Sequence, residues 1–144
     1  MTVRLTKEQK IRVLNSEDVY KVMQQILLRE NKIRRAQEHF WIVGLDKKNK
    51  ILFIELIALG AQNRIDLAPS DIFRMAIYKL AIRVIFVHNH PSGNIIPSRA
   101  DIKTTERLIE AGELLNISVV DHLIITEKKY LSFVDKNVTN FPSK

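Results

Sequence analysis

The stretch Val84-Ile85-Phe86-Val87-His88-Asn89-His90-Pro91-Ser92-Gly93 restricts this chain more than any other. Its four leading apolar residues read as a buried strand, and Pro91 with Gly93 stops that strand and turns the chain outward. Because side chains alternate faces along a strand, His88 and His90 project to the same side, near enough for one cation to take both. The segment Pro97-Ser98-Arg99-Ala100-Asp101 follows directly. Ser98 opens a helical run over residues 100–115 and places Asp101 in its first turn, where a short carboxylate reaches back toward the imidazoles. Two histidines and one aspartate leave a coordination position free, which is the arrangement of a catalytic metal rather than a structural one.

Each part of this pattern also has a plainer meaning. A His-x-His pair alone is as often a pair of hydrogen-bonded residues at a strand's end. Ser98 and Asp101 fit a capping box, in which the hydroxyl accepts a backbone N–H and the carboxylate sits in the first turn. That meaning is compatible with ligation, since a cap holds Asp101 rigidly while Ser98, at the rim, can donate to a developing oxyanion. A metal-activated water needs a proton acceptor that is not itself a ligand, and the candidates are Glu38 and Glu55. Glu38 is preferred because it starts a strand at the sheet's rim, whereas Glu55 lies in mid-strand and faces solvent. His39 and His122 are candidates for groups behind the ligands, and both read more readily as structural. The letters His88-Asn89-His90 are not the HNH nuclease motif, whose residues are dispersed along a ββα unit. The only glycines, Gly44, Gly60, Gly93 and Gly112, form no phosphate-cradling loop.

Composition narrows the ligand chemistry. With no cysteine, neither a disulfide framework nor a thiolate zinc site is available, and any transition metal must be held by histidine and carboxylate. A chain of 144 residues that is 46% hydrophobic suffices for one domain with its own core. Residues 1–8 lack the apolar run of a signal peptide, and the most apolar stretch, residues 51–61, is too short to span a bilayer and is interrupted by Glu55. A cytoplasmic, soluble protein with no membrane partner is therefore expected. The net charge of +7 fits a nucleic-acid surface, an acidic partner or ordinary solubility equally well.

In chain order, residues 1–14 carry no strong signal and read as a loose lead-in. Residues 17–31 form an amphipathic helix capped by Asn15 or Ser16, with Glu17 and Asp18 against its dipole and Val19, Val22, Met23, Ile26 and Leu27 at helical spacing. Lys32-Ile33-Arg34-Arg35 is a basic cluster, more readily a solvated helix end than a phosphate site. Residues 37–45 and 51–59 form a hairpin around the polar turn at residues 46–50, and residues 61–67 form a third strand. Ser70 caps a helix containing Ile72, Phe73, Ala76, Ile77 and Leu80. Beyond the helix that Ser98 opens come a strand at 117–126, a turn at Glu127-Lys128-Lys129, a short closing strand at 130–133 and a tail from residue 136. The expected architecture is a mixed α/β sheet with helices packed on it.

These residues carry a resemblance. Glu38, then His88-x-His90-Pro91, then Ser98-x-x-Asp101 resembles the JAMM signature of JAB/MPN metallopeptidase domains. Glu38-His39-Phe40-Trp41, the stretch from His88 to Gly93, Pro97-Ser98 with Asp101, and Val120-Asp121-His122-Leu123-Ile124-Ile125 together resemble the RadC branch of that superfamily. The likeness covers about residues 15 to 135.

The resemblance implies a JAB/MPN fold, similar to cytidine deaminases, with one zinc ion (Zn2+) held by His88, His90 and Asp101. It implies Glu38 as the group that takes a proton from the activated water and passes it to the leaving amine, and Ser98 as the group that steadies the oxyanion. The implied reaction is hydrolysis of a peptide or isopeptide bond, and the implied partner a protein or peptide substrate. RadC-like proteins are customarily labelled DNA repair proteins, so the alternative is a DNA-associated module, bound to DNA or DNA-repair proteins, whose metal site is structural or vestigial. A metal-dependent phosphodiesterase is a third reading, and no second metal site is visible for it. Many RadC-like proteins carry a helix-hairpin-helix region ahead of this domain, and the expectation here is the catalytic-type domain alone. Gly60-Ala61, Ala68-Pro69-Ser70-Asp71 and Asn94 depart from the family's usual wording, which marks the cleft surface as atypical.

Overall fold

The computed structural model describes residues 1–60 and 67–142. Its centre is a five-stranded mixed sheet in the order β2-β1-β3-β4-β5, built from β1 (His39–Leu45), β2 (Ile51–Leu59), β3 (Arg83–Asn89), β4 (Ser118–Ile125) and β5 (Tyr130–Ser132). The expected hairpin is β1 and β2, closed by Asp46, whose Oδ1 accepts the N–H groups of Lys48 and Lys50 at 2.8 and 2.9 Å. Every residue of β1 is buried, because it lies between β2 and β3 and is covered on both faces. Gly44 is required there: a Cβ would fall 2.0 Å from the Phe53 ring on β2. β3 and β4 run parallel, so the chain between them must cross over, and α4 (Arg99–Leu114) makes that crossing.

Helices cover both faces. The long amphipathic stretch predicted near the amino terminus is α1 (Ser16–Arg29), capped by Asn15, whose side chain accepts the Asp18 N–H. Its Val19, Val22, Met23, Ile26 and Leu27 pack with Trp41, Val43, Ile85, Val87 and Leu123. On the other face, Ile72, Phe73 and Ala76 of α3 (Pro69–Tyr78) and Leu108 and Ile109 of α4 pack with Phe40, Ile42, Val84 and Phe86. The alternation of the two sets along β1 and β3 fixes their register, since a slip of one residue would turn each face inside out.

Five expectations need correction. Ser70 does not cap α3: it lies inside the helix, which starts at Pro69 after the N-cap Ala68 and ends at Tyr78, short of Leu80. Residues 1–14 are not loose: Val3 N–H donates to Ile54 O, Leu56 N–H to Met1 O, and Val13 N–H to Asn49 O, so the segment lines the outer edge of β2 and satisfies backbone groups that an edge strand leaves open. Lys32–Arg35 is a helical turn of its own, α2, capped by Asn31, and its arginines pair within the chain: Arg34 with Glu30 at 2.7 Å and Arg35 with Glu127 at 3.1 Å. The closing strand ends at Ser132, and the fully buried Phe133 that follows donates its N–H to His122 O at 2.9 Å and stacks its ring on His122. The tail returns to the body, with Val138 N–H on Phe133 O and Phe141 against the core beneath α4. The strand predicted over residues 61–67 falls, apart from Leu67, outside the described residues.

Candidate metal centre

The exit of β3 is where the polar groups gather. His88 is the last residue of β3 but one and follows Phe86 on the α4 face; His90 lies just past the strand, its N–H held by Ile125 O at 3.0 Å. The period of two therefore carries beyond the strand, and the two imidazoles meet with Nε2 atoms 3.0 Å apart. Asn89, between them, points to the other face. Its Oδ1 accepts the His39 N–H at 2.5 Å and its Nδ2 donates to Gln37 O at 3.1 Å, which clamps the entrance of β1 to the exit of β3.

Asp101 arrives from α4. The expected capping box is present: Ser98 Oγ accepts the Asp101 N–H at 3.0 Å, and Asp101 Oδ2 accepts the Ser98 N–H at 2.8 Å. So anchored, its carboxylate lies 3.3 Å from His88 Nε2 through Oδ1 and 3.4 Å from His90 Nε2 through Oδ2. Burial pushes the Asp101 carboxyl up, but the two imidazoles and the Ser98 N–H outweigh that and hold it well below the usual carboxylate range. The carboxylate raises the His90 pKa in turn, against the opposing effect of burial, with smaller help from Asn94 O and Glu38.

Glu38 stands immediately before β1, its carbonyl accepting the Gly60 N–H at 2.8 Å. It shares the face of Phe40, two residues on, and its carboxylate forms with His88 and His90 a group whose ligand atoms all lie within 4.8 Å of one another, a spacing that one metal ion can bridge. His88 and Asp101 are buried, His90 and Glu38 partly exposed, and an open cleft of about 780 Å³ lies above them, lined also by Ser98, Asn94 and Thr104. The chain thus brings Glu38, His88, His90, Ser98 and Asp101 to one place. Glu55 stands elsewhere, in the middle of β2 opposite Ile42 and bridged to Thr2.

The two remaining histidines part company. His39 faces the α1 side, stacked on Trp41 with ring centroids 4.9 Å apart, so it does not stand behind the ligands. His122, on β4 opposite Phe86, does: its Nε2 lies 2.7 Å from His88 Nδ1, and its Nδ1 lies 2.5 Å from Thr105 Oγ1. Thr105 had no place in the sequence reading. The available signal was its position four residues after Asp101, which on a helix is the same face.

The sequence is also similar to known proteins. The family model described as RadC-like JAB domain matches residues 13–138. A UPF0758 protein of Caldanaerobacter subterraneus is 40% identical over 136 residues, 94% of this chain and 56% of that protein. UPF0758 proteins of Methanosarcina barkeri and Staphylococcus haemolyticus are 41% and 40% identical over 130 and 129 residues, about nine-tenths of this chain in each case. The chain spans about half the length of these curated relatives, whose names assign no activity.

Proposed function

This chain belongs to the RadC-like JAB domain family, which includes metallohydrolases, and from that premise we propose that it is a zinc-dependent hydrolase of a peptide or isopeptide bond in a protein or peptide substrate. One observation carries the reading: two imidazole Nε2 atoms and a buried carboxylate converge within 3.0–3.4 Å at the floor of an open cleft. His90 Nδ1 lies 3.0 Å from Asn94 O, and a carbonyl only accepts, so Nδ1 carries a hydrogen and the ring, when neutral, turns its lone pair to the cluster. A lone pair, a second imidazole and a carboxylate this close call for a cation among them. Nitrogen and oxygen donors with no thiolate suit zinc, and three protein ligands leave room for a reactant.

His88, His90 and Asp101 would hold the ion. When bound, zinc would supply a Lewis acid that polarises a carbonyl and lowers the pKa of water to about 7. Glu38, partly exposed at the rim, would take the proton of the attacking water and return it to the leaving amine. Ser98 spends an Oγ lone pair on the Asp101 N–H, while its own hydrogen remains to be donated to an oxyanion in the cleft. The DNA-module reading has weaker support, because Arg34 and Arg35 are engaged with Glu30 and Glu127. The test is Glu38→Gln: it should keep its zinc and lose cleavage of any peptide in a mass-spectrometric library that the wild type cuts. Undiminished cleavage would remove Glu38 from the mechanism.

A further inference from the structure

Behind His88 the polar contacts continue in single file. His88 Nδ1 meets His122 Nε2 at 2.7 Å, His122 Nδ1 meets Thr105 Oγ1 at 2.5 Å, and Thr105 Oγ1 meets Asp101 O at 2.8 Å. His88, His122 and Thr105 are all fully buried, so bulk water does not reach the file. Its last member is a carbonyl, which only accepts, and this sets the direction of every hydrogen before it. The Thr105 hydroxyl donates to Asp101 O, a back-bond of the kind threonine makes to the residue four earlier in a helix. Its oxygen then accepts from His122 Nδ1–H. A neutral His122 so protonated offers a bare Nε2, which accepts from His88 Nδ1–H. The lone pair of His88 is left at Nε2, on the side of His90 and Asp101.

We infer that His122 and Thr105 are positioning residues that hold His88 in the one tautomer able to bind a metal through Nε2. The inference rests on the metal-site reading above. The rest of the fold restrains the His122 ring: Phe133 stacks on it at 4.6 Å with planes 15° apart and Phe40 approaches with ring centroids 6.1 Å apart, while the Asp121 carboxylate accepts the His122 backbone N–H at 2.7 Å and holds the strand beneath it. The file also closes on itself, since Asp101 and Thr105 lie one turn apart on α4. One helix end therefore supplies a carboxylate to the site directly and orients an imidazole opposite it through two intermediaries. Partners of this kind typically tune metal affinity about 10- to 100-fold.

Two measurements test this. Histidine ring ¹⁵N shifts of metal-free wild-type protein should show His88 protonated at Nδ1 and bare at Nε2, and the reverse tautomer would overturn the inference whether or not zinc binds. Zinc affinity, by competition with a chelator, should fall about 10- to 100-fold in Thr105→Val and in His122→Phe and return to within about threefold of wild type in Thr105→Ser. Thr105→Val is isosteric and removes only the hydroxyl. Wild-type affinity in Thr105→Val, in protein where His88→Ala abolishes binding, would overturn the positioning role and leave the metal site standing. Absence of tight zinc binding in wild type with the expected ring shifts would instead overturn the metal reading.

Discussion

His39 and His88 are both fully buried, stand on neighbouring strands, and face opposite sides of one sheet. His39 donates its Nδ1–H to Gln37 O at 2.9 Å, while its Nε2 has no hydrogen-bond partner among the described residues and the Glu30 carboxylate stays 3.8 Å away. Burial lowers its pKa. It serves as a flat apolar ring against Trp41. His88 has both nitrogens engaged, one toward His122 and the other toward His90 and Asp101 at the cleft floor. Burial alone therefore does not distinguish a site. A continuous set of partners that opens onto a cleft does, and the α4 face has one.

The contrast breaks most sharply at the rim. Glu38→Gln should lower the rate of any hydrolysis by a factor on the order of 10² to 10⁴ with zinc content unchanged, measured as single-turnover cleavage beside metal analysis. If hydrolysis and metal fall together, Glu38 is a ligand rather than a base.

Next in size come the two cores. Trp41→Ala on the α1 face and Phe86→Ala on the α4 face should each cost about 3–5 kcal/mol in urea unfolding of metal-free protein, since both side chains are fully buried. Only Phe86→Ala, two residues from His88, should also weaken zinc binding. Equal effects on zinc from both would mean that global stability, not local placement, governs the site.

Two buried carboxylates sharpen the contrast further. Asp101 is held low by its imidazoles, but burial pushes the Asp121 carboxyl up to about 6 despite bonds from Ser132 Oγ and the N–H groups of Val134 and His122. A carboxyl whose folded pKa exceeds its unfolded one stabilises the fold when protonated, fully below about pH 4, and loses that contribution as pH rises toward 6. Between about pH 4 and pH 7 the wild type should lose on the order of 3 kcal/mol relative to Asp121→Asn, read from urea unfolding across pH. A constant difference would show that the charged form is fully compensated.

The smallest effect belongs to His39. His39→Phe keeps the stack on Trp41 and removes one bond to the carbonyl of exposed Gln37, so stability should change by about 1 kcal/mol or less. Zinc affinity should stay within about twofold of wild type.

Much of this was legible in the sequence. Four apolar residues ahead of His88 marked the central strand, the period of two put His88 and His90 together, and Ser98 with Asp101 announced a helix cap that needs only local chemistry. The pairing of residues 1–14 along β2 was not legible, because the alternating pairs Val3 and Leu5, and Ile11 and Val13, which pack on the core, are each too short to mark a strand. The intramolecular use of Arg34 and Arg35 depends on Glu30, just past the end of α1, and on Glu127, 92 residues beyond Arg35. His122 was visible as a residue but not as a neighbour of His88, since that contact follows from the parallel register of β3 and β4, with its shift between Val84 and Ile85. Thr105 becomes meaningful only once His122 has been placed.

The most direct measurement is zinc per chain, by mass spectrometry, in protein purified without a histidine tag under zinc-replete conditions, comparing wild type, His88→Ala and His39→Phe. About one zinc in wild type and His39→Phe and none in His88→Ala is the expected result. No zinc in wild type, or zinc that survives His88→Ala, would contradict the assignment of a metal centre to the exit of β3.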